Sequence, residues 1–151
     1  MADDLEFTID KFTFKVCTDR YYSDEGLWVK PDNNHVRIGI SDYLQKRSGD
    51  VAFVELKPKG TQLSFGEELA VIETIKVNIS LSSPLTGKVT EVNPLMETAP
   101  EMINQDPYGD GWLVSIEPQG AGVSLDKLLD PQTYFNKIKL EAEGEVRDND
   151  Q

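Results

Sequence analysis

Polar and apolar positions alternate along much of this chain, and the alternation marks out short strands. In "DKFTFKVC" Phe12, Phe14 and Val16 fall against Lys11, Thr13 and Lys15, the period of a half-buried strand. "LWVK" and "VRIGI" flank "PDNNH", whose proline and asparagines supply turn conformations, so the pair predicts a hairpin. Ser41 is placed to cap a short helix through Gln45 and Lys46 that Gly49 stops. "VAFVEL" has no polar interruption before Glu55 and predicts a central strand. "KPKGTQLSFGEE" predicts a loop and "SSPLTGK" a turn, whereas "KVTEVN" and "GWLVSIEP" predict further strands. A short helix is expected from Pro100 within a punctuated polar stretch. Further on, Ser124 and Asp130 are helix-cap candidates, Pro131 sits at the favoured first helical position, and Tyr134, Phe135 and Ile138 share one stripe. The ending "EGEVRDNDQ" is expected to fray. Seven or more short strands with helical trimmings favour a sandwich or barrel. Its core is expected to draw on Trp28, Ile38, Phe53, Val54, Val71, Val89 and Trp112.

One stretch resists this reading. In "VIETIKVNIS", residues 71–80, Lys76 interrupts a run that otherwise reads as β, where an amphipathic strand gains nothing from a cation. The arms "LAVIET" and "VNISLS" can pair, with Pro84 ending the second. A tight turn at Ile75 and Lys76 would then hold the lysine at a hairpin tip. Periodicity alone leaves two readings open: an ordinary surface lysine, or a handle for covalent attachment.

Composition removes several alternatives. At 151 residues with 38% hydrophobic and 28% charged residues, the chain suits one globular domain. The formal charge of −12 opposes nucleic acid or an anionic membrane as a default partner and favours basic docking surfaces. No apolar run approaches a membrane span, and the acidic start "MADDLEF" does not resemble a signal peptide. The lone Cys17 cannot form an internal disulfide and fits a reducing, cytoplasmic setting; it reads as a small core residue. His35, the single histidine, lies in a turn cluster and reads as an exposed bystander. No metal-binding, phosphate-cradling or nucleophile-elbow motif occurs, so no active site assembles.

The surroundings of Lys76 carry a resemblance. "VIETIK", with Glu73 three before the lysine, and "SSPLTGKV", with Gly87 eleven after it, are similar to the attachment hairpin of lipoyl domains. In order along residues 27–137, "LWVK", "VRIGISDYLQKRSGDVAFVELKPKGT", "GEELAVIETIK", "SPLTGKVTEVNPLMETAPEMINQDPYGDGWLVSI" and "LDKLLDPQTYF" resemble the H protein of the glycine cleavage system. That resemblance implies a mainly β barrel-sandwich hybrid in two pseudo-symmetric halves, with short helices and a C-terminal helix. Residues 1–20 would be an extension, 21–118 the carrier core and 119–151 a helical segment with an acidic tail. It also implies a monomeric carrier, not an enzyme, bearing lipoic acid on Lys76. Implied partners are a lipoate ligase or lipoyltransferase, a pyridoxal-phosphate glycine decarboxylase, an aminomethyltransferase and dihydrolipoyl dehydrogenase, between which an aminomethyl group would travel. The chain departs from the family where "HEW" is usual and Gly26-Leu27-Trp28 stands, and again at Val77, Asn78, Ile79 and Ser80. Those departures are shared ground with H-like lipoate-binding proteins that serve a heterodisulfide-reductase-like complex in sulfur oxidation. A biotin carrier would place methionines beside the lysine, where Ile75 and Val77 stand. An unmodified binding module would keep the fold and leave the lysine bare.

Overall fold

A computed structural model describes residues 4–119 and 127–149. Its scaffold is easiest to build outward from one hairpin, β4 (Leu27–Asp32) and β5 (His35–Ile40). Asn33 takes the left-handed conformation (φ 57°) that asparagine tolerates, and the two strands pair from Asp32 with His35 back to Leu27 with Ile40. Trp28 faces Gly39 across this pair, and a Cβ on Gly39 would lie 2.5 Å from the indole. The strand therefore needs a glycine there for the ring to lie flat over it.

Strands β3 (Tyr21–Tyr22), β7 (Gln62–Leu63), β10 (Gly87–Val92) and β11 (Val114–Pro118) complete a six-stranded sheet in the order β3-β4-β5-β11-β10-β7. A second sheet runs β6-β8-β9, from β6 (Val51–Leu56), β8 (Glu68–Thr74) and β9 (Asn78–Ser82). One cluster fills the space between them: Leu27, Val29, Ile38 and Ile116 from the first sheet meet Leu69, Ile72 and Leu81 from the second, all essentially without exposure. The architecture is the mainly β carrier-type fold that the resemblance implied, with a helix at its C-terminal end.

Two strand assignments need correction. The strand β6 is an edge, and β8 is the central member of its sheet. Within β6 a register shift between Val51 and Phe53 changes which residues face the core: the extra residue lets Val51 and Val54 both face inward, while Ala52 and Phe53 face out. Phe53 is accordingly 58% exposed and is not a core residue. Trp28, Ile38, Val54 and Val89 are buried as expected, whereas Val71 and Trp112 are half-buried, the latter beneath the Arg37 guanidinium at 4.2 Å. The "KPKGTQLSFGEE" loop contains the short strand β7.

Helix α1 (Asp42–Ser48) starts at Ser41, whose Oγ accepts from Leu44 N, and ends at Gly49. Two single-turn helices, α2 (Leu95–Thr98) and α3 (Met102–Gln105), occupy the polar stretch after β10. Helix α4 (Pro131–Asn149) begins after Asp130, whose carboxylate accepts from Thr133 N at 2.7 Å. It runs on to Asn149; Lys139, Leu140, Glu141 and Ala142, which lead into the stretch expected to fray, are all good helix formers. Ser124 lies outside the described residues.

An unexpected strand, β1 (Leu5–Ile9), pairs with β2 (Phe12–Val16) in a separate two-stranded sheet. Together with Trp28, Tyr22, Tyr43 and α4 residues Tyr134, Ile138 and Ala142, its Phe7, Phe14 and Val16 build a second, aromatic core.

A lysine at a locked hairpin tip

The strands β8 and β9 pair from Glu68 with Ser82 up to Glu73 with Asn78, which leaves residues 74–77 to turn the chain. Thr74 closes that turn. Its backbone N donates to Val77 O at 2.8 Å, and its hydroxyl oxygen accepts from Lys76 N at 3.2 Å and Val77 N at 3.0 Å. A threonine two residues before the tip thus satisfies backbone donors that the ladder no longer reaches. Outside the hairpin, Ile75 N donates to Asp50 O at 3.2 Å, tying the tip to the segment before β6. Ile75 is 75% and Val77 48% exposed, and Lys76 between them is exposed too.

The stem of Lys76 runs over Gly49. A Cβ on that glycine would stand 3.2 Å from Lys76 Cε, and its φ of +90° disfavours any side chain there. The segment beneath is pinned by Asn104 of α3, whose amide nitrogen donates to Gln45 Oε1 and to Gly49 O, both at 3.0 Å, and whose amide oxygen accepts from Val51 N at 2.8 Å. One asparagine therefore fixes the end of α1, the glycine track and the start of β6 together. Among the described residues the Lys76 amine has no hydrogen-bond or ion-pair partner.

A groove of about 430 Å³ opens beside the tip. Val77 and Ile79 form one side, and Tyr134, Lys137, Ile138 and Glu141 of α4 form another. Gly26 and Leu44 also line it; a Cβ on Gly26 would meet Leu44 Cβ at 3.2 Å and the Tyr134 hydroxyl at 3.3 Å. Lys137 donates to Asp24 O at 2.9 Å and pairs with Glu141 at 3.6 Å, so its charge is engaged at the rim. An apolar wall with a charged lip suits a long alkyl substituent carrying a polar end.

The remaining candidates behave as bystanders. Burial pushes the Cys17 thiol up to about 12, which keeps it protonated and unreactive. His35 sits on β5 rather than in the turn itself, half-buried and 3.9 Å from Glu117. Burial likewise raises Tyr22 and Tyr134, which serve as hydrogen-bonding core residues, and Tyr108, which is half-buried at the edge of that core. Reading the sequence places Lys76 at the hairpin tip and Gly49 at the end of α1, but misses Thr74, Asn104 and the position of Gly49 beneath the lysine. Thr74 was accessible from local turn chemistry, whereas Asn104 reaches its partners across more than fifty residues of chain, and no periodicity records that.

Comparison with known proteins bears on the family and the fold. The family model described as glycine cleavage H-protein matches residues 20–141. The glycine cleavage system H protein of Thermus thermophilus is 40% identical over 124 residues, covering 82% of this chain and 96% of that protein. Its counterpart in Carboxydothermus hydrogenoformans is 42% identical over 127 residues, 84% of this chain and 95% of the relative. The crystal structure of a glycine cleavage system H protein from Mycobacterium marinum superposes with a TM-score of 0.74 at 32% identity, over 81% of this chain and 98% of that one.

Proposed function

We propose, from the premise that this chain belongs to the glycine cleavage H-protein family, that Lys76 carries lipoic acid and that the protein is a carrier rather than an enzyme. The observation that supports it is the locked tip itself: an exposed, unpartnered amine on a turn held by Thr74 and Asp50. A modifying enzyme meets a rigid backbone there and a nucleophile with no bond to break. Amide formation joins the lysine nitrogen to the activated lipoyl carboxyl, expels the activating group and removes one positive charge. The residues fit that group: Gly49 leaves a track for the stem, and the groove lined by Val77 and Ile79 lies within the hairpin's own reach. Bound lipoate supplies a dithiolane that can be reduced and can carry a cargo. The chain's own part is to present it, hold the hairpin rigid and shelter the arm between visits.

In this reading the partners are a lipoate ligase or lipoyltransferase, glycine decarboxylase, an aminomethyltransferase and dihydrolipoyl dehydrogenase, and the cargo is an aminomethyl group. Tethering keeps the reactive end at high local concentration near whichever partner is docked. Intact-mass analysis followed by peptide mapping, after incubation with lipoate and a ligase, tests the attachment. An adduct on Lys76 supports it; one on Lys88 or Lys59 sinks it.

A second reading draws on one observation. At the position of the family's usual histidine stands Gly26, whose φ of +99° disfavours a side chain and where a Cβ would press on Leu44 and Tyr134 at 3.2–3.3 Å, so the groove floor carries no imidazole. Val77 and Ile79 add no hydrogen bond for a charged amine, whose partners would have to come from Asp24, Glu25 or Glu141 elsewhere along the groove. That wall is compatible with a sulfur cargo passed to a heterodisulfide-reductase-like complex. Lipoylated protein incubated with the decarboxylase and labelled glycine separates the two. A stable aminomethyl adduct supports glycine cleavage; no adduct, with uptake of sulfane sulfur on the reduced thiols, supports the second.

A further inference from the structure

No residue of the N-terminal hairpin lines the groove beside Lys76, yet the hairpin packs against the helix that forms one of the groove's walls. From α4, the Phe135 ring meets Phe7 of β1 edge-on at 5.3 Å. Phe7 packs on Phe14 of β2 at 5.1 Å, and Phe14 meets Tyr43 of α1 edge-on at 5.2 Å. An aromatic chain thus runs from α4 through the hairpin to α1. Polar bonds fix the hairpin to the body at the same place: Lys15 N donates to Asp42 Oδ2 at 2.9 Å, the Tyr108 hydroxyl donates to Lys15 O at 2.7 Å, and Lys46 Nζ donates to Thr13 O. The adjoining flank of α4 presents Tyr134, Lys137, Ile138 and Glu141 to the groove. Direct ties from α4 to the body include the Tyr134 ring stacked on Tyr22 at 4.3 Å, the Tyr134 hydroxyl to Ser41 Oγ at 2.7 Å and Lys137 to Asp24 O. The hairpin also precedes residue 20, where the match to the family begins.

We propose that the N-terminal hairpin is a brace that presses α4 against the body and so sets how closed the groove beside Lys76 is. Only the consequence for the arm rests on the lipoyl reading; the bracing itself does not. Phe7 and Phe135 are the positioning residues; neither lines the groove, and they act on it chiefly through α4, with a second path from Phe7 by Phe14 to Tyr43 of α1.

The test compares the full chain with Phe7→Ala, Phe135→Ala and the conservative Phe7→Leu, with Thr8→Ala on the exposed side of the hairpin as control. Amide exchange is followed at residues 131–142 and, separately, across β4 and β5. Lipoylated and reduced samples are then alkylated with iodoacetamide beside free dihydrolipoamide. The expected result is a several-fold rise in exchange confined to α4 in both alanine variants, with alkylation accelerating toward the free-thiol rate. Phe7→Leu, which keeps the fold with a poorer ring contact, should fall between, and Thr8→Ala should match the parent. Exchange that rises equally in β4 and β5 would reduce the hairpin to general stabilisation and overturn the proposal. Unchanged alkylation despite a loosened α4 would overturn its link to the arm. Failure of Lys76 to accept lipoate would remove the carrier reading, while the exchange data would still decide the brace.

Discussion

Two hairpins of this molecule solve opposite problems. The β8–β9 hairpin ends in a tip that is exposed in every side chain from Ile75 to Asn78, and its order comes from backbone bonds closed by Thr74 and Asp50. The β1–β2 hairpin is ordered by what its side chains bury, Phe7, Phe14 and Val16, while its turn at Asp10 and Lys11 relies on a single left-handed aspartate (φ 56°). A presented group needs the first arrangement, because a tip fixed by packing would have to bury the atoms it offers. A brace needs the second, since packing transmits force from one element to another and backbone turns do not.

Substitutions can break this contrast in order of size. Lys76→Ala or Lys76→Arg should abolish lipoylation entirely in a ligase assay read by mass, while the thermal melt of Lys76→Ala moves by no more than about 0.5 kcal/mol equivalent. A large fall in that melt would make the lysine structural and erase the distinction. Phe14→Ala should cost about 3–5 kcal/mol in urea unfolding, as for other buried rings, whereas Ile75→Ala at the exposed tip should leave the midpoint unchanged. Asn104→Ala leaves Val51 N, Gln45 and Gly49 without their partner and should cost about 1–3 kcal/mol. It should also slow lipoylation without changing its site, because the bench beneath the lysine loosens.

The smallest effect is one of pH. Hydrogen bonding from Arg20 holds the Asp19 carboxyl below its ordinary value of 3.8, next to the hairpin's exit. A depressed carboxyl contributes stability that is full above its unfolded value and lost as pH falls through the folded one. Asp19→Asn should therefore lower stability slightly at pH 7 and flatten the loss on acidification below about pH 4. Melts of parent and variant across that window check it; parallel curves would show that Arg20 is held instead by Trp28 and Tyr108, over which it lies at 4.6 and 5.2 Å.

The alternating strands and the lysine were legible because each is written locally. "VRIGI" declares its buried face by period two, and Lys76 announces itself by breaking a pattern. Phe53 misled because a bulge adds one residue to one strand, and the following positions then exchange faces without any change in composition. The first strand was obscured for another reason: "LEFTI" alternates over only five residues, and its partner on α4 lies far along the chain. Asn104 was illegible altogether, since its three bonds depend on where α3 is delivered by the fold.

The closure of the tip by Thr74 also divides the motions of the arm by timescale. With residues 74–77 bonded among themselves and to Asp50, swinging requires no opening of the ladder, and all of it is left to rotations beyond the Lys76 Cα. Those are single-bond rotations of exposed groups, in the picosecond-to-nanosecond range, whereas parting strands would place the motion in microseconds or slower. Backbone order parameters should therefore stay high through the turn while the carbons of the lysine chain average freely, so that the search for a partner is limited by diffusion of the docked pair and not by the hairpin.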